Sequence, residues 1–152
     1  MNCRIIMNET LRDNLWELFP DCIIYNSPVS DDNIVGVALI YDNDFHWVVV
    51  YDENLVLNTL IGEFSESTDA ETDAIEYYNY NIIGGYHGPR TPLFMHNFEE
   101  NECIASRCSQ TYESYICLQN VESMQEAFEI VREQNVFLYV PLDSIESIKQ
   151  IV

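Results

Sequence analysis

The run Phe45-His46-Trp47-Val48-Val49-Val50-Tyr51 constrains the fold more than any other part of the chain. In a β-strand, alternate side chains leave opposite faces. Phe45, Trp47, Val49 and Tyr51 would then share one face, and His46, Val48 and Val50 the other. Neither face is polar, so such a strand has to be covered on both sides, by helices or by a partner. Apolar runs at 34–41 and 55–60 flank it, separated from it by Asp42-Asn43-Asp44 and Asp52-Glu53-Asn54. Both separators are strings of turn formers. Together the three runs predict an antiparallel three-stranded meander over about 34–60.

Around this meander the periodicity changes. Residues 8–19 read as an amphipathic helix, with Leu11, Leu15, Leu18 and Phe19 on one face, Asn8 as N-cap and Pro20 as stop. A short strand at 22–26 precedes a loop around Pro28. An acidic Ser/Thr loop, 62–70, leads into a helix over 70–80. Residues 84–92 are the only stretch dense in Gly and Pro. The back third reads strand (114–120), helix (122–134), strand (136–140), a length that suits a parallel crossover. Ser123 caps that helix and Met124, Ala127, Phe128 and Val131 form its buried stripe. Pro141 closes the last strand, and 143–151 form a terminal helix. The expectation is an α+β fold, a mixed sheet with helices packed on it, in a single domain over 1–152.

Charge then limits the partners. Between Arg12 and Arg90 there is no Lys or Arg, while fifteen carboxylates accumulate, and the formal net charge of the chain is −20. A field of one sign repels nucleic acid and anionic membrane and attracts cationic partners. Hydrophobic residues make up 47% of the chain, too many for the acidity to mean disorder. No apolar run approaches the roughly 18 residues of a membrane span. Residues 1–7 lack the long apolar core of a signal peptide, so cytoplasmic residence is expected. Five cysteines, Cys3, Cys22, Cys103, Cys108 and Cys117, are an odd number and point to reduced thiols.

Most catalytic patterns are missing. No Walker A, G-x-G-x-x-G or G-x-S-x-G sequence occurs. The spacing Cys103-x4-Cys108, with Cys117 and His87 or His96, lacks the paired short intervals of structural zinc sites. Asp42-Asn43-Asp44 lacks the Gly and terminal Glu of a calcium loop. No cofactor and no metal are expected. One enzymatic pattern remains. His46-Trp47 at the start of a hydrophobic strand resembles the His strand of cysteine proteases of the adenovirus and SUMO-protease type, over the six residues 45–50. That resemblance implies a nucleophilic Cys beside the imidazole, with Cys103 and Cys108 as candidates. The plainer reading is an ordinary histidine in a sheet.

The charge supports a binding function better. Carboxylates held rigidly on turns and helices can occupy a groove built for DNA phosphates. In size and charge the chain is similar to small phage proteins that inhibit restriction or CRISPR nucleases. The expected partner is a basic protein, a nuclease or another DNA- or RNA-binding protein, met without direct contact to nucleic acid or membrane. Candidate contact residues are Asp42, Asp44, Asp52, Glu53, Glu63, Glu66, Asp69, Asp73 and Glu76, with Tyr77, Tyr80 and Tyr86. Asp69, Asp73 and Glu76 share a helix face, either as helix-stabilising acids near an N-terminus or as a charged ridge. Loop 84–92 is either a rigid connection or a contact loop presenting Tyr86, His87 and Arg90. The alternatives are an immunity protein that neutralises a cognate toxin, a thiol hydrolase using His46, and an assembly subunit that pairs through the second apolar face of the meander, possible as a homo-oligomer.

Overall fold

A hairpin organises the sheet: β1 (Ile34–Tyr41) pairs antiparallel with β2 (Phe45–Asp52). The turn between them places Asn43 at φ 64°, the left-handed conformation that Asn tolerates better than most residues. The structure is a computed structural model that describes residues 10–96, 104–108 and 110–150, with residues 149 and 150 described by their backbone alone. Along β2 the expected two-sided burial is present. Val49 and Tyr51 lie in one core while Val48 and Val50 lie in another.

The third run of the predicted meander is not a strand. It forms the helix α2 (Glu53–Glu63), counting α1 as Leu11–Leu18. The reason lies in the separator. The Asp52 side chain accepts hydrogen bonds from the backbone N–H groups of Asn54 (2.8 Å) and Leu55 (3.2 Å), which is N-cap geometry. Val56 and Leu60, one helical turn apart, are the residues that it buries. Asp-Glu-Asn serves a turn or a cap equally well, and a short apolar run carries no period that separates strand from helix.

Helix α3 (Ala70–Tyr77) follows and widens into a π-helical turn, Tyr78–Ile83. This pair of helices returns the chain so that β3 (Leu93–His96) lies parallel to β2. Strands β4 (Ile104–Arg107) and β5 (Gln110–Tyr112) extend the sheet antiparallel. Strands of four, four and three residues are too short to announce themselves by alternation, and the sequence reading missed all three. The predicted strand–helix–strand is present as β6 (Tyr115–Cys117), α4 (Met124–Gln134) and β7 (Phe137–Pro141), with β6 parallel to β7. The predicted strand 114–120 stops at Cys117, and Leu118–Asn120 form a 3-10 turn. Ser123 caps α4, donated to by the Glu126 N–H, and Asn135 ends it at φ 52°. The chain closes with a 3-10 helix, Leu142–Gln150.

Two expectations near the N-terminus change. Asn8 lies outside the described residues, and the cap of α1 is Thr10, which exchanges hydrogen bonds with Asp13 in a capping box. Residues 22–26 form no strand. Side chains satisfy their backbone instead: Trp16 Nε1 donates to Cys22 O, the Tyr25 N–H to Tyr51 Oη, and Arg12 Nη2 to Tyr25 O.

The seven strands run in the order β5-β4-β3-β2-β1-β7-β6, a mixed sheet in an α+β fold. The two edge strands are separated in the chain by Glu113 and Ser114 alone. The sheet therefore curls until its edges meet. Tyr112 of β5 packs edge-on to Phe137 of β7 at 6.0 Å, and Tyr115 of β6 lies 5.7 Å from the same ring. Inside the curl sit Ala38, Ile40, Val48, Val50, Leu93 and Met95. The apolar second face of the hairpin, the surface expected to mediate assembly, is thus buried within one chain. The helices cover the outside, where Leu15, Val56, Leu60 and Ala74 meet Val37, Val49, Tyr51 and Phe94. Curling brings strands close at Gly36, where a Cβ would stand 2.4 Å from Val140 O, so β7 can pair there only with glycine. Among the described residues no helix is long and apolar enough to cross a membrane.

Candidate functional site

The predicted contact acids fall into two groups. Six have structural partners. Asp42 receives the Arg107 guanidinium at 2.9 Å. Asp44 accepts from the Phe45 N–H at 2.8 Å, and Asp52 caps α2. Glu53 accepts from the Tyr78 hydroxyl at 2.8 Å; burial, with Glu53 beside it, pushes that phenol far above its ordinary range. Asp69 caps α3, accepting from the backbone N–H and the hydroxyl of Thr72, and Asp73 accepts from the Ser67 hydroxyl. Asp69 thus caps the helix and Asp73 ties the preceding loop to it. Glu63, Glu66 and Glu76, with the unpredicted Glu71, form the second group. They are exposed and have no hydrogen bond or ion pair among the described residues.

These acids share a layer. Residues 52–83, spanning α2, α3 and the π turn, carry eight carboxylates and no basic residue. Nothing nearby offsets them, because every described arginine is already beside a carboxylate. Arg12 lies 2.7 Å from Asp31, Arg107 2.9 Å from Asp42, and Arg90 and Arg132 3.8 Å from Asp21 and Glu133. On α4, Glu126, Glu129 and Glu133 recur at i, i+3 and i+7, a single stripe on one helix face. The i, i+3, i+7 spacing is the sequence signal for this stripe.

The tyrosines divide similarly. Tyr77 is half-buried against Phe64, with ring centroids 5.7 Å apart. Tyr80 is 83% exposed and Tyr86 53%. Ile75, which the sequence reading did not single out, is 41% exposed on the same helical segment as Tyr80.

Loop 84–92 is held from beneath by Arg107, a side chain with no exposed surface. Its Nη1 donates to Pro89 O (2.6 Å) and Thr91 O (2.9 Å), and its Nε to Gln110 Oε1 (2.8 Å). The Tyr86 ring lies 6.0 Å from the same guanidinium. The Thr91 hydroxyl accepts from the His87 N–H and donates to Gly88 O, and Gly88 supplies φ 103°. The loop is stapled in place and still presents Tyr86 and His87 outward.

His46 does not assemble a catalytic pair among the described residues. Its Nε2 lies 3.3 Å from Asp42 O. A carbonyl only accepts, so in that contact Nε2 is the donor. Nδ1 is buried and has no hydrogen-bond partner among the described residues, so none of the described thiols serves it. Cys103 lies outside the described residues. Cys108 is exposed, at φ 45°, and its N–H donates to Ile83 O. Cys22 is free and buried, and desolvation pushes its thiol up to about 11, away from the thiolate that catalysis needs. Among the described residues no group of three or more His, Cys, Asp or Glu side chains is placed to hold a metal ion.

In comparison with known proteins, the chain matches no family model, no curated protein and no solved structure.

Proposed function

We propose that this chain is a non-enzymatic inhibitor that presents an acidic, DNA-mimic-like surface to a basic, nucleic-acid-handling protein, in the manner of anti-restriction or anti-CRISPR proteins. The observation that carries the reading is the layer 52–83, with eight carboxylates and no cation, folded as two capped helices against a curled sheet. Carboxylates fixed on helices pay little ordering entropy on binding, unlike those of a flexible acidic tail. Charge of one sign also accelerates encounter with a basic groove.

Within the same class, an immunity protein is favoured by one feature. Tyr80 and Ile75 are exposed on a helical run that also carries the exposed Glu71 and Glu76. Hot spots in protein interfaces have that composition.

The test is capture of DNA-binding proteins on the immobilised chain at two salt concentrations, with duplex DNA as competitor. Retention of a nuclease that DNA displaces, weakened by salt, supports the proposal. Retention that DNA leaves unchanged, or no retention of basic proteins at low salt, removes it.

A further inference from the structure

A cleft of about 500 Å³ opens between the 3-10 turn Leu118–Asn120, the start of α4 and the terminal 3-10 helix. Drug-sized ligands occupy clefts of roughly 300–1,000 Å³, so this one has room for more than a single side chain. Its apolar lining is Leu118, Val121 and Met124. All three pack against the core formed by Leu39, Ala127, Val131 and Leu138, and all three are only partly buried. The core between α4 and the sheet therefore comes to the surface along this cleft.

Two features select the charge of the guest. The start of a helix ordinarily favours an anion. In α4 the chain supplies that anion itself: Glu126 Oε2 accepts from the Glu122 N–H at 2.9 Å, and Ser123 Oγ accepts from the Glu126 N–H at 3.1 Å. The Glu122 carboxylate, by contrast, lines the cleft, is exposed and has no hydrogen bond or ion pair among the described residues. An anionic guest would meet Glu122 and a net charge of −20. A wholly apolar guest would cover Glu122 without giving it a counter-charge, which costs free energy. Apolar side chains beside a Lys or Arg satisfy both the floor and the carboxylate.

We infer that this cleft docks a short basic segment of the partner protein, whose apolar side chains cover Leu118, Val121 and Met124 while a flanking Lys or Arg meets Glu122. The inference rests on the basic partner of the proposed function. It adds to the acidic layer 52–83 one specific contact, made by other residues of the chain.

The test uses the intact chain and three hexapeptides blocked at both ends, followed by the NMR signals of the Val121 and Met124 methyl groups. The probes are Lys-Lys-Leu-Leu-Lys-Lys, the equally charged Lys-Lys-Ser-Ser-Lys-Lys and the acidic Glu-Glu-Leu-Leu-Glu-Glu. The basic leucine probe should shift both sets of signals saturably and bind at least about tenfold tighter than the serine probe, a difference of about 1.4 kcal/mol. Glu122→Gln should weaken it several-fold and flatten its salt dependence. Ser147→Trp and Gln119→Trp each fill the cleft from an exposed position and should weaken it about tenfold or more. Equal binding of the leucine and serine probes would trace the effect to the field of the whole chain and overturn the cleft. Binding of the acidic probe, or a basic leucine probe indifferent to both Trp substitutions, would overturn it as well. The peptides read the cleft alone. A nuclease captured and displaced by DNA, whose affinity the Trp substitutions leave unchanged, would leave the proposed function standing and remove the cleft from it.

Discussion

The Arg107 guanidinium, with no exposed surface, reaches across the molecule to the Asp42 carboxylate at 2.9 Å and joins two segments that lie 65 residues apart in the chain. Its other donors satisfy Pro89 O, Thr91 O and Gln110 Oε1. One side chain therefore fixes the β1–β2 turn, the β4–β5 turn and loop 84–92 relative to one another.

Arg107→Leu should destabilise the fold by about 3–5 kcal/mol, the usual cost of removing one partner of a buried pair and leaving the others unsatisfied. Arg107→Lys should recover only part of that, because an ammonium cannot reproduce the planar fork that serves four acceptors. Urea unfolding of the three proteins measures this. A loss below about 1 kcal/mol for Arg107→Leu would mean that the loop is not held as described.

At the start of α2, Asp52→Ala should cost about 1 kcal/mol, whereas Asp52→Asn, which still accepts from the N–H groups of Asn54 and Leu55, should cost only a few tenths. Thermal unfolding followed by far-UV circular dichroism distinguishes the two. Were 55–60 a strand behind a turn, the two substitutions would behave alike.

Asp52 also marks where sequence legibility ends. Two-sided burial in β2 could be read directly, since period two over seven residues leaves nothing ambiguous, and the Ser123 cap and the Ala127–Val131 spacing identified α4 just as plainly. The run 55–60 could not be resolved, because its six residues hold fewer than two helical turns and the acids before it suit either outcome. Strands β3 to β5 were hidden by their brevity, and the curl of the sheet is a property of pairings between residues as distant as Tyr112 and Phe137. Of the site, the cation-free layer was legible as charge. Which acids cap helices and which face solvent depends on neighbours such as Ser67, Thr72 and Tyr78 that charge counting ignores.

Buried acids make stability fall at alkaline pH. Burial raises the Cys22 thiol from 9.0 to about 11 and the Tyr25 phenol from 10.0 to about 12. In both cases the folded state retains the proton longer than the unfolded chain, so their contribution is complete below pH 9 and is lost as pH rises through the folded values. The urea midpoint should hold steady to about pH 9 and drop between pH 9 and 12. Cys22→Ala should flatten the part of the slope between pH 9 and 11 whatever it does to absolute stability. An unchanged slope in that variant would show that Cys22 is not desolvated in the fold.

The exposed side of the π turn that follows α3 separates stability from binding. Tyr80 projects 83% of its surface to solvent, so Tyr80→Ala should change folding stability by no more than about 0.5 kcal/mol. If Tyr80 anchors the interface, the same substitution should weaken binding to a captured basic protein by about 2 kcal/mol or more, seen mainly as faster dissociation. Replacing Glu63, Glu66, Glu71 and Glu76 together by Gln should act differently, slowing association and flattening its salt dependence while dissociation changes little. Stability should hold or rise in that variant, since four like charges leave a molecule whose net charge is −20. Surface plasmon resonance at two ionic strengths resolves both rates. Association that keeps its speed and its salt dependence without the four glutamates would place the interface away from the layer 52–83.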